Sequence, residues 1–143
     1  MIAERISFDT NILVYALDTA AGDKHVRAME LLDQAVQSDF VLTLQALSEF
    51  FAVATRKRKV PLEDAATQIN DWIELFPVVS AGPAALRRAV WAVSEHQFAF
   101  WDALLWGTVA EAGCGILVSE DFQHGRRLRG VQFHNPFIEN LPS

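Results

Sequence analysis

Short, continuous apolar runs take turns along this chain with longer stretches of helical periodicity. Arg5 to Phe8 reads as a first strand, and Ile12 to Leu17 continues directly as a short helix. Ala20-Ala21-Gly22-Asp23 marks a turn. Lys24 to Val36 then places Val26, Met29, Leu31, Leu32, Ala35 and Val36 at helical spacing. After Ser38-Asp39, the run Phe40 to Thr43 predicts a second strand. A long helix follows from about Gln45 to Arg58, with Leu47, Phe50, Phe51 and Ala54 on its inner side. Pro61 opens the next helix at its first position, where a missing N–H is harmless. Ala65, Ile69, Trp72, Ile73 and Leu75 point inward from it. Pro77 to Ser80 is the third strand, and Pro83 starts a helix with Leu86, Val90 and Val93 at core spacing. His96 to Ala99 connects to a helix from about Trp101 to Ala112, stopped by Gly113. Ile116-Leu117-Val118 has the unbroken apolar character of a strand buried on both faces. Ser119 to Gly130 reads as polar loop, Val131 to Phe133 as a last, weaker strand, and Asn135-Pro136 as the start of the tail.

Strands alternating with helices predict an α/β chain in three layers, α/β/α, around a central, mainly parallel sheet of four to five strands. No linker, repeat or low-complexity segment divides residues 1–143, so one domain is expected. An apolar fraction of 51% with 21% charged residues excludes general disorder. No apolar run reaches the length of a membrane span and no basic-then-apolar leader opens the chain. The single Cys114 can form no internal disulfide and sits in a Gly-Cys-Gly turn, which suits a structural thiol in a cytoplasmic protein.

A net charge of −6 argues against a protein that coats nucleic acid through basic surface alone. It leaves open an enzyme that holds nucleic acid through a bound cation. Positive charge gathers at Arg56-Lys57-Arg58-Lys59, at Arg87-Arg88, and at Arg126-Arg127 with Arg129. Each cluster can be a solvated helix end or a phosphate-contacting arm.

Four acids carry the candidate chemistry. Asp9 ends the first strand, at the sheet edge where open α/β folds place their ligands. Glu49 lies early in the helix after the second strand, Asp102 in the first turn of its helix, and Asp121 just past the fourth strand. Taken singly, each has an ordinary role: helix cap, macrodipole partner or solvated loop acid. Glu120 competes with Asp121 for the same position. Parallel strands would bring Asp9, Glu49 and Asp121 to one edge, where Asp102 can join them. Carboxylates so gathered repel one another unless a cation is present, and their hard oxygens suit Mg²⁺ or Mn²⁺ rather than zinc. Thr10, Asn11 and Ser119 stand beside the acids as hydrogen-bonding groups for a carboxylate or a water, with capping and turn roles as the ordinary reading.

Other chemistries find little support. His25, His96, His124 and His134 lack the i,i+4 pairing of a zinc protease, and no P-loop, dinucleotide turn or nucleophile elbow is present. A haloacid-dehalogenase type phosphatase needs an acid where Asn11 stands, and a receiver domain needs an acidic pair and a late lysine.

The motifs Asp9-Thr10-Asn11-Ile12-Leu13-Val14-Tyr15-Ala16, Ser48-Glu49-Phe50, Asp102-Ala103-Leu104-Leu105 and Ser119-Glu120-Asp121-Phe122, in that order, resemble the PIN-domain family, specifically the VapC-type ribonuclease toxins of bacterial toxin–antitoxin pairs. The resemblance spans nearly the whole chain and implies a PIN-like fold. It places the metal-binding acids on Asp9, Glu49, Asp102 and Asp121, with Ser119 at a position where the family often has threonine or serine. It also implies Mg²⁺- or Mn²⁺-dependent endoribonuclease activity on RNA, a small VapB-type antitoxin partner and a homodimer. A catalytically silent PIN-like module that binds RNA or protein is the competing expectation.

Overall fold

Ile6, Ser7 and Phe8 are wholly buried and form β1 (Ile6–Phe8), the strand on which the other layers close. The computed structural model describes residues 4–57 and 59–142. In chain order there follow α1 (Thr10–Leu17), a 3-10 turn (Thr19–Ala21), α2 (Asp23–Val36), β2 (Leu42–Thr43), α3 (Leu44–Arg56), α4 (Leu62–Leu75) and β3 (Val78–Val79). Then come α5 (Pro83–His96), α6 (Phe100–Glu111), β4 (Ile116–Val118), β5 (Arg127–Leu128) and β6 (Val131–His134).

The four strands β1-β4-β6-β5 make one sheet, in which β1, β4 and β6 run parallel and β5 returns antiparallel against β6. β2 and β3 pair in parallel beside it. A single parallel bridge, Ile6 to Phe40, joins the two, with the Val41 N–H donating to the Ile6 carbonyl at 3.1 Å. The expected mainly parallel sheet is therefore present, in a four-stranded and a two-stranded part. Among the described residues no helix is long and apolar enough to cross a membrane.

Alternation along β4 splits the core into two halves. Ile116 and Val118 face a cluster with Ile6, Phe8, Ile12, Leu13, Leu47, Phe50 and Trp72, drawn from β1 and from α1, α3 and α4. Leu117 faces the opposite cluster, with Leu105, Trp106, Val109 and Phe133. α5 and α6 cover that second face, which completes the three layers.

Several expectations are corrected. The inner face of α5 is not Leu86, Val90 and Val93, which are exposed, but Ala85, Ala89 and Ala92. Apolar periodicity cannot tell two stripes apart when one is alanine, and here the small residues face α6 because the helices approach closely. Val26, Met29 and Val36 of α2 and Ile73 and Leu75 of α4 are likewise exposed, while Ala28, Leu31 and Ala35, and Ala65 and Trp72, lie inside. Pro61 caps α4 from outside rather than occupying its first turn. α3 ends at Arg56, and the proposed terminus at Arg58 lies outside the described residues. Within the stretch read as loop, Arg127 and Leu128 pair with β6.

The α5–α6 contact yields a direct test. A Cβ built on Gly107 would stand 2.6 Å from the Ala85 carbonyl oxygen and 3.3 Å from the Arg88 Cβ. Backbone cannot rotate out of the way, so α6 must move. Gly107→Ala is expected to lower stability by about 1–2 kcal/mol, the overpacking loss outweighing alanine's better helix propensity. Urea unfolding reads this as a lower midpoint with an unchanged slope.

Candidate active site

The register of the sheet builds the site. Phe8 pairs with Val118, so the next residues, Asp9 and Ser119, emerge side by side at the carboxyl edge. The Ser119 hydroxyl donates to Asp9 Oδ2 at 2.7 Å, and the Thr10 N–H donates to Oδ1 at 2.7 Å. Asp9 thereby caps α1, as its ordinary reading had it, and also fronts a cavity of about 340 Å³. On the neighbouring strand, Thr43 ends β2 and caps α3 through its hydroxyl, which accepts from the Ala46 N–H at 3.0 Å. That start sets Glu49 one turn further along, facing the same cavity.

Glu49 accepts from the Thr10 hydroxyl at 3.1 Å and from Gln45 Nε2 at 3.2 Å. Asp102, in the first turn of α6, lines the cavity together with Asp121. Asp121 accepts from Asn11 Nδ2 at 3.0 Å, while its own N–H donates to Ser119 Oγ at 3.0 Å. All four acids thus border one cavity. Glu120 does not: its carboxylate takes a hydrogen bond from Tyr15 and an ion pair from Lys24.

The electrostatics follow from this crowding. Asp9 is 6% exposed, and burial raises its pKa to about 6, with the charges of Asp121 and Asp102 adding to the rise against the hydrogen bonds from Ser119 and Thr10. Asp102 is raised too, first by burial and then by Asp121 and Glu49. Cys114 behaves as expected of a structural thiol: buried, with its pKa pushed up to about 12.

The donor set fits a hard divalent cation. The partners of these acids are neutral, and among the described residues none of the four is in an ion pair. Two amide oxygens beside them, Asn11 Oδ1 and Gln45 Oε1, are buried without a hydrogen-bond partner. Among the described residues, however, no three His, Cys, Asp or Glu side chains stand at cage-like spacing. The acids ring the cavity rather than meeting at a point, with Asp9, Glu49 and Asp121 each held by neutral donors.

Lys57 and Lys59 also line the cavity, Lys59 pairing with Asp18 at 3.0 Å. Beyond Asp102 and Asp121 a smaller pocket of about 160 Å³ carries Arg126. Its guanidinium rests 5.0 Å from the Phe98 ring and against His96 Nδ1 at 3.1 Å. Residues from two of the three basic clusters thus border the acid cavity or the pocket next to it. His124 does not join them; it holds the tail, bonding Glu139 and the Asn135 N–H, each at 3.0 Å. Sequence reasoning missed Gln45 and Tyr15. Gln45 carries a usable signal, since it sits i−4 from Glu49 on one helix face.

Comparison with known proteins agrees with this fold. The chain matches no curated protein sequence at a significant level. Solved structures share its fold: a toxin–antitoxin complex from Klebsiella pneumoniae is 18% identical, with a TM-score of 0.63 over 88% of this chain and 94% of that one. VapC20 of Mycobacterium tuberculosis, described as a sarcin–ricin loop cleaving toxin, is 18% identical, with a TM-score of 0.62 over 78% of this chain and 86% of that one. A DNA-bound VapBC from Salmonella typhimurium is 13% identical, with a TM-score of 0.67 over 92% and 97%. The sequence profile of the PIN domain matches residues 6–127, which takes in all four acids and the strands that present them. The chain belongs to the PIN domain family.

Proposed function

We propose that this protein is a divalent-metal-dependent endoribonuclease of VapC type, the toxin of a toxin–antitoxin pair. The observation that carries the reading is the acid cavity itself: Asp9, Glu49, Asp102 and Asp121 border one opening at the sheet's carboxyl edge, without a paired cation among the described residues. These four residues would hold Mg²⁺ or Mn²⁺. When bound, such an ion supplies positive charge for the phosphodiester and lowers the pKa of water. Ser119 and Thr10 fix the directions of Asp9 and Glu49, and Asn11 that of Asp121. Lys57 in the cavity wall and Arg126 in the neighbouring pocket offer contacts to RNA phosphates, the positive charge that an acidic chain otherwise lacks.

The structural neighbours support a VapB-type antitoxin as partner, since several of them are toxin–antitoxin complexes. A single domain over residues 1–143, a homodimer and a cytoplasmic setting complete the reading.

The experiment is cleavage of single-stranded RNA by purified protein. Activity is expected with Mg²⁺ or Mn²⁺ and is lost on adding EDTA. In parallel, Mn²⁺ at 100 times its dissociation constant is expected to stabilise the fold by about 2.7 kcal/mol. RNA bound without cleavage at any metal concentration would favour the silent module instead.

A further inference from the structure

Beside the acid cavity stands a second polar cluster, built from α1, α2 and the loop after β4. The Tyr15 hydroxyl donates to Glu120 Oε1, and Lys24 Nζ lies 2.7 Å from Oε2, so each carboxylate oxygen has its own partner. The ammonium of Lys24 also sits 5.2 Å from the ring centroids of both Tyr15 and Phe137. Those two rings pack edge to face at 5.6 Å. Glu120 is therefore gripped by two helices and braced by the tail.

Asp121 is the next residue along, so the direction of one side chain constrains the other. With Glu120 turned to Tyr15 and Lys24, Asp121 faces Asn11 and the cavity, and its N–H reaches Ser119 Oγ. We propose that Glu120 is a positioning residue: Lys24 and Tyr15 clamp it so that Asp121 is presented to the metal-binding cavity. This rests on the reading of Asp121 as a metal-holding acid. Tyr15 lines the same cavity, so the clamp abuts the site directly. Lys24 is exposed, and exposed ion pairs add little to global stability. The clamp's effect is thus expected on Asp121 and not on the fold.

The test uses the full chain with Lys24→Ala, Glu120→Gln, both together, and the exchange Lys24→Glu with Glu120→Lys. Residue-resolved hydrogen exchange in EDTA reads the Asp121 amide, and calorimetry with Mn²⁺ reads the site. Each single variant is expected to speed exchange at Asp121 and weaken Mn²⁺ binding by about tenfold, the loss usual for a group that orients a metal ligand. The melting temperature of Lys24→Ala should stay unchanged. Because both members act as one unit, the double variant should lose no more than either single, and the charge exchange should recover part of the loss. Unchanged exchange and affinity in Lys24→Ala would overturn the clamp. Binding abolished by Glu120→Gln but untouched by Lys24→Ala would overturn it too, by making Glu120 a ligand. Wild-type protein that binds no Mn²⁺ would instead remove the metal reading and the positioning role with it, and the exchange data would still decide whether the clamp exists.

Discussion

Asp9→Asn is expected to abolish RNA cleavage and, in the same protein, to raise the melting temperature measured in EDTA at pH 7. The loss of activity should exceed the roughly 10–100-fold that follows removal of a group merely supporting a metal ligand, because Asp9 is itself a proposed ligand. The gain in stability follows from where the acid sits. Burial and the neighbouring Asp121 and Asp102 raise its pKa to about 6, above an unfolded value near 3.8. The folded state thus holds its proton more tightly than the unfolded state. Stability is withdrawn as pH rises through that window, and the full penalty is in force above it. A shift of this size corresponds to about 3 kcal/mol. Asparagine removes the charge, and its Oδ1 still accepts from the Thr10 N–H as a good cap should. Ser119 loses a charged acceptor, which offsets part of the gain. Each net kcal/mol adds roughly 2–4 °C at this chain length. The comparison to make is wild type minus variant, from pH 4 to pH 7, so that the other carboxylates cancel. Equal stability of the two proteins across that range would mean that Asp9 is not strained as described. Undiminished cleavage would remove it from the site.

The convergence of four carboxylates on one cavity was legible in the sequence as a candidate site. Asp9 and Asp121 follow the ends of strands, Asp102 stands in the first turn of its helix, and Glu49 sits among apolar neighbours within α3. Strand direction then converts separate positions into one edge. The same reasoning could not say how near the acids come, because side-chain directions depend on donors such as Asn11, whose partner Asp121 lies 110 residues away. Nor could it separate Glu120 from Asp121. That division is made by Lys24 and Tyr15, nearly a hundred residues or more away in sequence.

The fold was readable to a similar depth and failed for an equally physical reason. Strands of three buried residues announce themselves, as Ile116-Leu117-Val118 does. Helix faces do not when alanine does the packing. Leu86, Val90 and Val93 have the larger apolar side chains, yet Ala85, Ala89 and Ala92 are the ones covered, since only small residues let α5 approach Gly107 of α6. Size ranks the hydrophobic gain per residue, but it does not fix which side a partner helix can reach.

Trp106 is where that close approach is filled, and Trp106→Ala is expected to produce the largest loss of stability in the chain, about 3–5 kcal/mol. The indole is fully buried, packs 5.9 Å from Trp91, and donates from Nε1 to the Leu128 carbonyl at 3.2 Å. Its removal opens a void among Leu105, Val109, Leu117 and Phe133 and leaves a buried carbonyl without its donor. The alanines that admit α6 to this face have no side chains long enough to close it. Trp106→Phe separates the contributions: it keeps most of the ring but loses the N–H, so a loss of about 1–2 kcal/mol is expected from the bond alone. Should phenylalanine and alanine destabilise equally in urea, packing would contribute little and the hydrogen bond to β5 would account for the effect. Asp102 lies one turn before Trp106 on α6, on the same side of the helix, so the two substitutions should also differ at the proposed metal site. Phenylalanine should leave Mn²⁺ affinity near that of wild type, whereas alanine, by leaving the void open beneath α6, should loosen Asp102 and weaken binding.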